Sequence, residues 1–391
     1  MTTKTADATR CPGCGRGELA LMAQLGRQPA VGTVIYDDPQ SAREAPSAPL
    51  DIGFCRLCGL VRGLTFDPGL VPYDAAYENS QHFSPRFARY AGELAEQLVA
   101  RHGLAGGTVV EIGSGKGEFL AELCRAGVAK AYGYDASYSG EVDDNPFADR
   151  IDFVRRDFDS DAPLPAAGLL CLRHVLEHFV DPAALLHSLR RSLGDNATPV
   201  YVEVPNGEFV LTPSGMWDFI YQHVSYFTPT SLEVLFTRCG FEVTDLRQAF
   251  DGQFLAIEAT PTGKASDDGA PRRDVGPLVA QAERFAAAYQ ASLVEWDEEL
   301  SGRDDIVLWG AGSKGVTFLN TTAARDAVRA VVDLNPRKQG TFVAGTGQPI
   351  VAPERLVDDP PGKVLVSNPA YVDEIRDHLQ GLGLTPEVAC I

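Results

Sequence analysis

The sequence predicts an α/β protein with two Rossmann-like units behind a small cysteine-rich module. Two observations support this prediction. An apolar run, a glycine-rich turn and a helical pattern follow one another from residue 108, and the same succession starts again near residue 306. Between them, short apolar runs alternate with helical patterns, which is typical of a parallel sheet covered by helices on both faces.

The length and composition indicate several domains in a soluble chain. The 391 residues correspond to two or three domains, and the hydrophobic fraction of 45% is ordinary for globular proteins. A Gly-, Pro- and Asp-rich stretch at 260–275 predicts a linker. We therefore expect a module at 1–70, a core at 71–260 and a Rossmann-like domain at 275–391.

Charge and hydropathy narrow the range of partners. The formal net charge of −19 opposes binding to nucleic acid. Apolar runs are too short to cross a bilayer, and the first residues lack the apolar segment of a signal peptide. We expect a cytoplasmic monomer or small homo-oligomer with a small-molecule partner.

The core elements follow from apolar runs and from start and stop signals. Strands are predicted at 108–112, 131–134, 151–154, 169–172 and 199–204, and a closing hairpin at 241–247 and 253–259. Serine, threonine or proline starts and glycine stops predict the helices. These helices are at 85–101, 118–126, 181–193, 228–239 and 276–300.

Two cysteine pairs predict a metal site in the N-terminal module. Cys11 and Cys14 form one C-x-x-C unit, and Cys55 and Cys58 form the other. In a reducing compartment such pairs indicate metal ligands rather than disulfides. Four thiolates suit a closed, structural Zn²⁺ site. An iron–sulfur cluster and thiols without a metal are the alternatives.

The turn after the first core strand predicts a nucleotide-like ligand. Glu111 ends the strand, and Gly113, Ser114, Gly115 and Gly117 form the turn that opens the next helix. Glycines let the backbone bend tightly and approach a ligand closely. Such a turn alone is a weak signal, because NAD enzymes carry a similar one.

Acidic residues at the next strand ends favour S-adenosylmethionine (SAM). Asp135 follows the second strand, where its carboxylate can accept both ribose hydroxyls, and Asp157 follows the third, near the adenine amino group. Together with Glu111 they predict a SAM site at the carboxyl ends of the strands. A Rossmann fold that binds NAD or no cofactor is the alternative.

Histidines follow the fourth strand. His174 is expected beside the cofactor, and His178 near the methyl acceptor, where an imidazole can take a proton. A metal site is disfavoured, because Glu177 and His178 are adjacent and would diverge on a helix. A helix-capping or supporting histidine is the alternative for His178.

Two aromatic segments are candidates for the acceptor site. Tyr221, Gln222 and His223 lie in a loop before a helix, and His223 is the best candidate for a general base. The loop around Tyr77 and Asn79 is a candidate lid. Core packing explains the first segment equally well, and a plain connector explains the second.

The C-terminal unit repeats the strand, turn and acidic residue. Its turn, residues 310–315, contains Lys314, and Asp333 ends the following strand. A phosphate held by the turn, with Lys314 as its charge partner, is one interpretation. A fold with an empty site is the other.

These motifs in this order resemble the three-domain sugar C-methyltransferases of antibiotic biosynthesis. The resemblance rests on the cysteine pairs, EIGSGKG, RHVLEH, YQHVSYFTPTSLEVLFTRCGFEV and LWGAGSKGVTFLN. It implies a zinc-binding domain, a class I methyltransferase Rossmann-like core and a C-methyltransferase C-terminal domain.

The resemblance also implies a mechanism: a base removes a proton beside a ketone, and the enolate carbon takes the methyl group of SAM. The acceptor is a keto-deoxysugar carried on a nucleoside diphosphate. His223 would be the base or share that role, with Tyr221, His178 and Tyr77 around the sugar. Asn79, Gln222 and Lys314 are further acceptor-binding candidates.

One residue departs from the family pattern. Gln222 stands where the family usually has a glutamate before the histidine. A neutral amide neither accepts a proton nor strengthens His223 as a base. N- or O-methylation of a small natural product, which needs less help from a base, is therefore the second hypothesis. A SAM-binding protein without catalysis is the third.

Overall fold

The computed structural model describes residues 10–71, 80–138, 145–156, 158, 164–194, 196–262 and 273–391. These residues form three sheets of four, seven and five strands. The three sheets correspond to the cysteine-rich module, the core and the C-terminal unit, in chain order.

The N-terminal module is a small antiparallel sheet. Its elements are β1 (Leu19–Pro29), α1 (Pro39–Arg43), β2 (Ser47–Cys55) and β3 (Val61–Gly63). The fourth strand of this sheet comes from the core, since residues 225–226 pair with β3. The module is therefore joined to the loop that carries His223.

The core alternates strands and helices as predicted. Its first half contains α2 (Pro85–His102), β4 (Thr108–Ile112), α3 (Glu118–Arg125), β5 (Lys130–Tyr134), β6 (Ile151–Val154), β7 (Leu169–Arg173) and α4 (Pro182–Leu193). Its second half contains β8 (Val200–Pro205), α5 (Gly207–Val210), β9 (Ser225–Tyr226), α6 (Pro229–Arg238), β10 (Phe241–Ala249) and β11 (Phe254–Pro261).

Local signals fix the ends of these helices. Ser84 caps the start of α2 by accepting a hydrogen bond from the Phe87 amide, and Gly103 ends it with a left-handed φ of 63°. Thr228 and Ser231 form a reciprocal capping box at the start of α6. The predicted bounds of both helices agree with the structure to within one residue.

The strand order of the core sheet places a ligand crevice. The order is β10-β11-β8-β7-β4-β5-β6, and only β11 runs against its neighbours. The chain reverses direction across the sheet between β4 and β7, and ligands of open α/β sheets bind at that point, beyond the carboxyl ends of the strands. This is the arrangement predicted for a class I methyltransferase core, and the predicted closing hairpin is β10–β11.

The C-terminal unit is a second parallel sheet behind a long helix. Its elements are α7 (Gly276–Leu300), β12 (Ile306–Trp309), α8 (Ser313–Thr321), β13 (Val328–Val332), β14 (Ile350–Val351), β15 (Lys363–Val366), α9 (Val372–Gly381) and β16 (Glu387–Cys390). All paired strands in this sheet are parallel. The unit is Rossmann-like, as predicted.

The N-terminal module shares its hydrophobic core with the C-terminal unit. One cluster of buried side chains includes Leu50 and Ile52 from β2, Leu278 and Phe285 from α7, and Phe318 from α8. Neither partner buries these faces alone, so the two units stabilise each other. Among the described residues, no helix combines the length and apolar character that a membrane crossing requires.

Candidate active site

The glycine-rich turn joins β4 to α3 at the carboxyl edge of the core sheet. Gly113, Gly115 and Gly117 have φ angles of 70°, 53° and 80°. At Gly117 a Cβ would lie 2.4 Å from Cζ of Phe153, so both the backbone conformation and the packing require glycine. The glycines therefore leave backbone without side chains at the start of α3, where a nucleotide-like ligand can approach closely.

Asp135 lies beside this turn at the end of β5. Its Oδ2 accepts a hydrogen bond of 2.7 Å from the Gly115 amide, and its Oδ1 accepts bonds from the Ser137 amide and hydroxyl at 2.8 and 2.6 Å. The carboxylate is therefore fixed where the sequence places the ribose. Asp157, the third acidic candidate, lies outside the described residues.

Glu111 is buried at the base of the turn. Only 3% of its surface is exposed, and its Oε2 has no hydrogen-bond partner within the described parts of the chain. Burial raises the pKa of Glu111 to about 8, although the nearby Arg173 acts in the opposite direction. Ser114 of the same turn is also buried, and its hydroxyl has no hydrogen-bond partner among the residues that the structure describes. A cationic ligand would favour the ionised carboxylate.

A buried ion pair supports the end of β7. Arg173 donates to Oε1 of Glu203 on β8 at 2.8 Å, and the Tyr201 hydroxyl donates to Oε2 at 3.0 Å. Tyr90 donates to the same oxygen. Burial alone would raise the pKa of Glu203, but Arg173 and His174 outweigh it and hold the pKa below its usual range. The network fixes the backbone from which the next histidine projects.

His174 adopts a left-handed backbone conformation with a φ of 55°. Its Nε2 lies 3.1 Å from Oε1 of Glu203, and its ring packs edge-on against Phe254 with centroids 4.6 Å apart. Positive φ is costly for a side chain with a Cβ and is concentrated at functional sites. The residue lies between the buried network and the cleft described below.

Glu177, His178 and His223 come together, against the expectation that the first two diverge. They offer ligand atoms that all lie within 4.8 Å of one another. Residues 176–178 form a single 3-10 turn rather than an α-helix. The Val224 amide donates to the Glu177 carbonyl at 2.8 Å, which brings the His223 loop onto this turn. The argument against a metal site from adjacency is therefore wrong.

Burial sets the protonation of this cluster. It lowers the pKa of His178 to about 4 and that of His223 well below its ordinary value. It raises the pKa of Glu177 to about 8. Both imidazoles are therefore neutral at pH 7, and each has a lone pair to offer. Glu177 has no surface exposure, and neither carboxylate oxygen finds a hydrogen-bond donor among the described residues.

The two neighbours of His223 in the predicted aromatic loop differ in their placement. Gln222 lines the cleft, and its backbone carbonyl lies 3.0 Å from Nδ1 of His178. Tyr221 is expected at the acceptor site, but it is buried away from the cleft lining. Its hydroxyl donates to the Thr65 carbonyl at 3.0 Å and accepts from the Asp67 amide at 2.8 Å. Its contacts connect the N-terminal module to the core.

A cleft of about 260 Å³ lies between the core and the C-terminal unit. His174, Glu177, His178 and His223 line it from the core, and Gly312, Lys314, Asn335 and Asn368 from the C-terminal unit. The cleft therefore connects the ends of the core strands with the second glycine turn. Its size suits a small molecule.

Polar contacts cross the cleft floor. Nζ of Lys314 donates to Asp218 at 2.6 Å and to Oε1 of Gln253 at 3.1 Å. Gln253 and Asn368 exchange two amide hydrogen bonds of 3.0 and 2.9 Å. Lys314, predicted as a partner for an anionic ligand, is thus also a partner of a core carboxylate.

The predicted lid falls largely outside the described residues, which exclude Tyr77 and Asn79. Beyond them, the Ser80 hydroxyl donates to Glu118, and Gln81 lines the cleft. His82 packs edge-on against Phe87 with ring centroids 5.3 Å apart. The start of α2 therefore continues the wall of the cleft.

Sequence reasoning did not select three residues that the structure places on the cleft. Asp218, Gln253 and Asn368 all line it and join its two walls. Only Asp218 gave a signal, since a carboxylate follows Trp217 in an otherwise aromatic segment. The other two belong to strand ends that only the packing of the C-terminal unit brings together.

The four predicted cysteine ligands meet in one buried cluster. The Cys11 and Cys58 sulfurs are 3.6 Å apart, and those of Cys14 and Cys55 are 3.9 Å apart. Disulfides would need about 2.05 Å. A tetrahedral Zn²⁺ with bonds of about 2.3 Å would separate its sulfurs by about 3.8 Å. The Gly17 amide also donates to the Cys14 sulfur at 3.3 Å, as thiolate ligands favour. The cluster fits a four-thiolate metal site.

Two known domain types match this chain. Residues 82–246 match a methyltransferase domain, and residues 280–383 match a C-methyltransferase C-terminal domain. The first match contains the glycine turn, both clustered histidines and the start of the closing hairpin. The second contains the C-terminal glycine turn and most of its sheet.

A relative of similar length is named as a C-methyltransferase. The chain is 25% identical to the C-methyltransferase NovU of Streptomyces niveus over 94% of its own length and 91% of the relative.

Solved methyltransferases align with part of the chain. N,N-8-amino-8-demethyl-D-riboflavin dimethyltransferase from Streptomyces davawensis is 19% identical, with a TM-score of 0.37 over 45% of this chain and 55% of its own. Magnesium protoporphyrin IX methyltransferase from Synechocystis PCC 6803 is 17% identical, with a TM-score of 0.37 over 45% and 84%.

Strand order, acidic strand ends and the matched core domain define a class I SAM-dependent methyltransferase. The C-terminal match and the relative of nearly equal length take the assignment further. The chain combines a methyltransferase domain with a C-methyltransferase C-terminal domain and is similar over nearly its whole length to a C-methyltransferase, so the resemblance predicted from its motifs is confirmed.

Proposed function

We propose that this enzyme transfers the methyl group of SAM to a carbon beside the ketone of a nucleotide-activated deoxysugar, or of a related small metabolite. One observation carries the proposal: a single cleft runs from the ends of the core strands, past two neutral imidazoles, to the glycine turn of the C-terminal unit. An acceptor with a reactive ring at one end and a phosphate-bearing group at the other matches this arrangement.

The residues around the SAM site have distinct tasks. SAM supplies an electrophilic methyl group on a sulfonium. Asp135 holds the ribose hydroxyls, and the backbone of the Gly113–Gly117 segment approaches the ligand without side chains between. Glu111, ionised by the positive charge of the ligand, and His174 close the same pocket from below. Asp157, which follows the third strand, is proposed to lie near the adenine amino group of SAM.

His223 is the proposed base. Its Nδ1 is buried without a hydrogen-bond partner in the described structure, and its imidazole is neutral. The proton on the carbon beside the ketone passes to this ring, and the C–H electron pair becomes the enolate. The enolate carbon attacks the methyl carbon, and the sulfonium C–S pair stays on sulfur. His178 lines the sugar site beside His223, and Tyr77 steadies the enolate oxygen.

The phosphate-bearing end is proposed to lie at the C-terminal unit. Residues of the 310–315 turn and of the α8 N-terminus line the cleft, and Lys314 lies there as a cation. Asn79 and Gln222 complete the proposed acceptor contacts. Lys314 already pairs with Asp218, so a phosphate at this end of the cleft would compete with that carboxylate for the lysine charge.

Replacement of His223 tests the chemistry. We expect His223→Ala to lower turnover of a keto-sugar nucleotide by about 10²–10⁴-fold, the contribution typical of a positioned base, with SAM affinity unchanged. His187→Ala, on the exposed side of α4, is the matched control. Labelled SAM measures transfer, and calorimetry measures binding. Undiminished transfer by His223→Ala would remove the histidine from the base role.

Gln222 favours a second candidate, transfer to an amine or hydroxyl of a small natural product. A nucleophilic amine needs little help from a base, and orientation beside the methyl group supplies most of the acceleration. The two candidates differ in one measurement. C-methylation replaces an α-hydrogen of the acceptor by the methyl group, so an acceptor deuterated at that carbon loses deuterium. N- or O-methylation leaves the deuterium in place.

We also propose that the cysteine cluster binds a structural Zn²⁺. With four sulfur ligands there is no open coordination position for catalysis. The ion would hold β2 of the N-terminal module against the apolar cluster that includes Leu60 of the module and Phe227 and Leu235 of the core.

Metal analysis tests this second proposal. We expect one zinc per chain, loss of that zinc in Cys55→Ser, and a lower melting temperature with it, because metal binding is coupled to folding. Cys390→Ser, outside the cluster and half-buried, is the matched control and should keep its zinc. Iron with inorganic sulfide in the purified protein, or no stoichiometric metal, would contradict the proposal.

A further inference from the structure

The cluster of Glu177, His178 and His223 combines a buried carboxylate, the lack of hydrogen bonds to it from described residues, and two imidazoles close by. The carboxylate has no surface exposure, yet neither of its oxygens accepts a hydrogen bond from a described residue. The ligand atoms of all three side chains lie within 4.8 Å of one another. Buried polar atoms are almost always satisfied, so an unsatisfied carboxylate beside two imidazoles indicates a missing positive partner.

The imidazole of His178 is held in the form that binds a cation. Its Nδ1 lies 3.0 Å from the Gln222 carbonyl, which can only accept, so Nδ1 carries the proton and Nε2 the lone pair. Histidines that bind metals commonly donate their other nitrogen to a backbone carbonyl in this way. The rings of His178 and His223 pack edge to face, with centroids 4.8 Å apart and an interplanar angle of 75°.

The charges around the cluster also favour a cation. His174 Nδ1 lies 3.8 Å from Oε1 of Glu177, and Glu203 lies on the other side of His174. A divalent cation would bind the buried carboxylate of Glu177 directly. Lys314 on the opposite wall is neutralised by Asp218.

We propose that Glu177, His178 and His223 bind a divalent transition-metal cation at the core side of the cleft. Two imidazoles and one carboxylate suit Mn²⁺, Fe²⁺, Co²⁺, Ni²⁺ or Zn²⁺ rather than Ca²⁺ or Mg²⁺, which prefer oxygen. Three protein ligands leave positions open toward the cleft, where an oxygen of the acceptor can bind. This site differs from the four-cysteine cluster in ligand type and in its access to the cleft.

Cation binding and proton uptake at His223 exclude each other, because both use the same lone pair. Whether a cation binds here does not depend on the proposed function, but the effect of that cation on turnover does. If the cation lowers turnover, the imidazole is the base. If it raises turnover, the base assignment to His223 is wrong while the cation site stands.

Mn²⁺ titration followed by electron paramagnetic resonance tests the site in the full chain with its zinc in place. Mn²⁺ avoids thiolates, so loss of the free-ion signal reports an oxygen and nitrogen site. We expect one Mn²⁺ per chain, with affinity that falls at lower pH because ligands must be deprotonated. Glu177→Gln and His223→Gln should each weaken binding at least about tenfold.

The controls separate a lost site from a lost fold. His187→Gln should bind Mn²⁺ like the wild type, and SAM affinity and zinc content should be unchanged in Glu177→Gln. Glutamine matches the shape of the protonated carboxyl, so the cluster can fold without the charge. An undiminished free Mn²⁺ signal with the wild type, or equal affinity in Glu177→Gln, would overturn the proposal.

Discussion

Glu111 shows how a single buried carboxyl can make ligand binding depend on pH. Its pKa is raised to about 8 by burial, so the empty site holds a mostly protonated group at pH 7. A sulfonium ligand favours the ionised form, and binding therefore releases a proton below pH 8. We expect SAM affinity of the wild type to rise with pH toward about 8 and then level off. Calorimetry between pH 6.5 and 9 measures this.

The Glu111→Gln variant isolates that carboxyl from the titration of SAM itself. Proton loss by the ligand affects both proteins equally and cancels in the ratio of their dissociation constants. We expect the ratio to grow with pH until it corresponds to about 1.5–3 kcal/mol of binding free energy, the usual contribution of a hydrogen bond to a charged group. A ratio that stays constant over this range would mean that Glu111 does not titrate on binding.

In the turn after β4, Gly117 is constrained both by its backbone conformation and by its packing. Comparison with Gly103 separates the two effects. Its φ is 80°, and a Cβ would lie 2.4 Å from Phe153. Gly103, at the end of α2, has a similar φ of 63° with open space around it. We expect Gly103→Ala to cost about 1–2 kcal/mol of unfolding free energy from backbone strain alone. Gly117→Ala should cost about 1–3 kcal/mol more, from the collision.

Urea denaturation of the two variants measures the difference. Equal losses would show that Phe153 moves away freely and that packing does not constrain the turn. A larger loss in Gly117→Ala, accompanied by weaker SAM binding, would show that α3 must approach β6 closely to shape the cofactor site.

The sequence predicts most helices and strands well but misplaces the segment after β7. Apolar runs and caps define the core elements from α2 to β11 to within a few residues, because each signal is local. Residues 173–178 carry an equally clear motif, yet their geometry depends on distant contacts: Glu203 holds His174, and the amide of Val224 reaches Glu177. A helical assumption for this segment therefore missed the Glu177, His178 and His223 cluster.

For Tyr221 the sequence predicts a place at the acceptor site, and the structure puts the side chain elsewhere. Its neighbours Gln222 and His223 line the cleft, and sequence proximity placed all three there. In the structure the tyrosine hydroxyl bonds to the backbone of Thr65 and Asp67. The partner segment lies more than 150 residues away in the chain, and no local pattern indicates it.

Across the whole molecule, the active-site cleft exists only because the C-terminal unit is docked on the core. Lys314 and Asp218 join the two at 2.6 Å, with 13% and 20% of their side chains exposed. We expect a double-mutant cycle of Lys314→Ala and Asp218→Asn to give a coupling energy of about 0.5–3 kcal/mol, as for side chains in direct contact. Unfolding free energies of the four proteins measure it.

Arg56 and Glu283 provide the matched comparison for that cycle. They also join two units, at 2.8 Å, but their side chains are 62% and 60% exposed. Solvent screens such a pair, so its coupling should lie between about 0 and 1 kcal/mol. If both cycles give the same small value, the Lys314 and Asp218 pair does not hold the cleft together. A larger value for Lys314 and Asp218 means that a ligand phosphate competes with a carboxylate for Lys314, and acceptor affinity should then rise in Asp218→Asn.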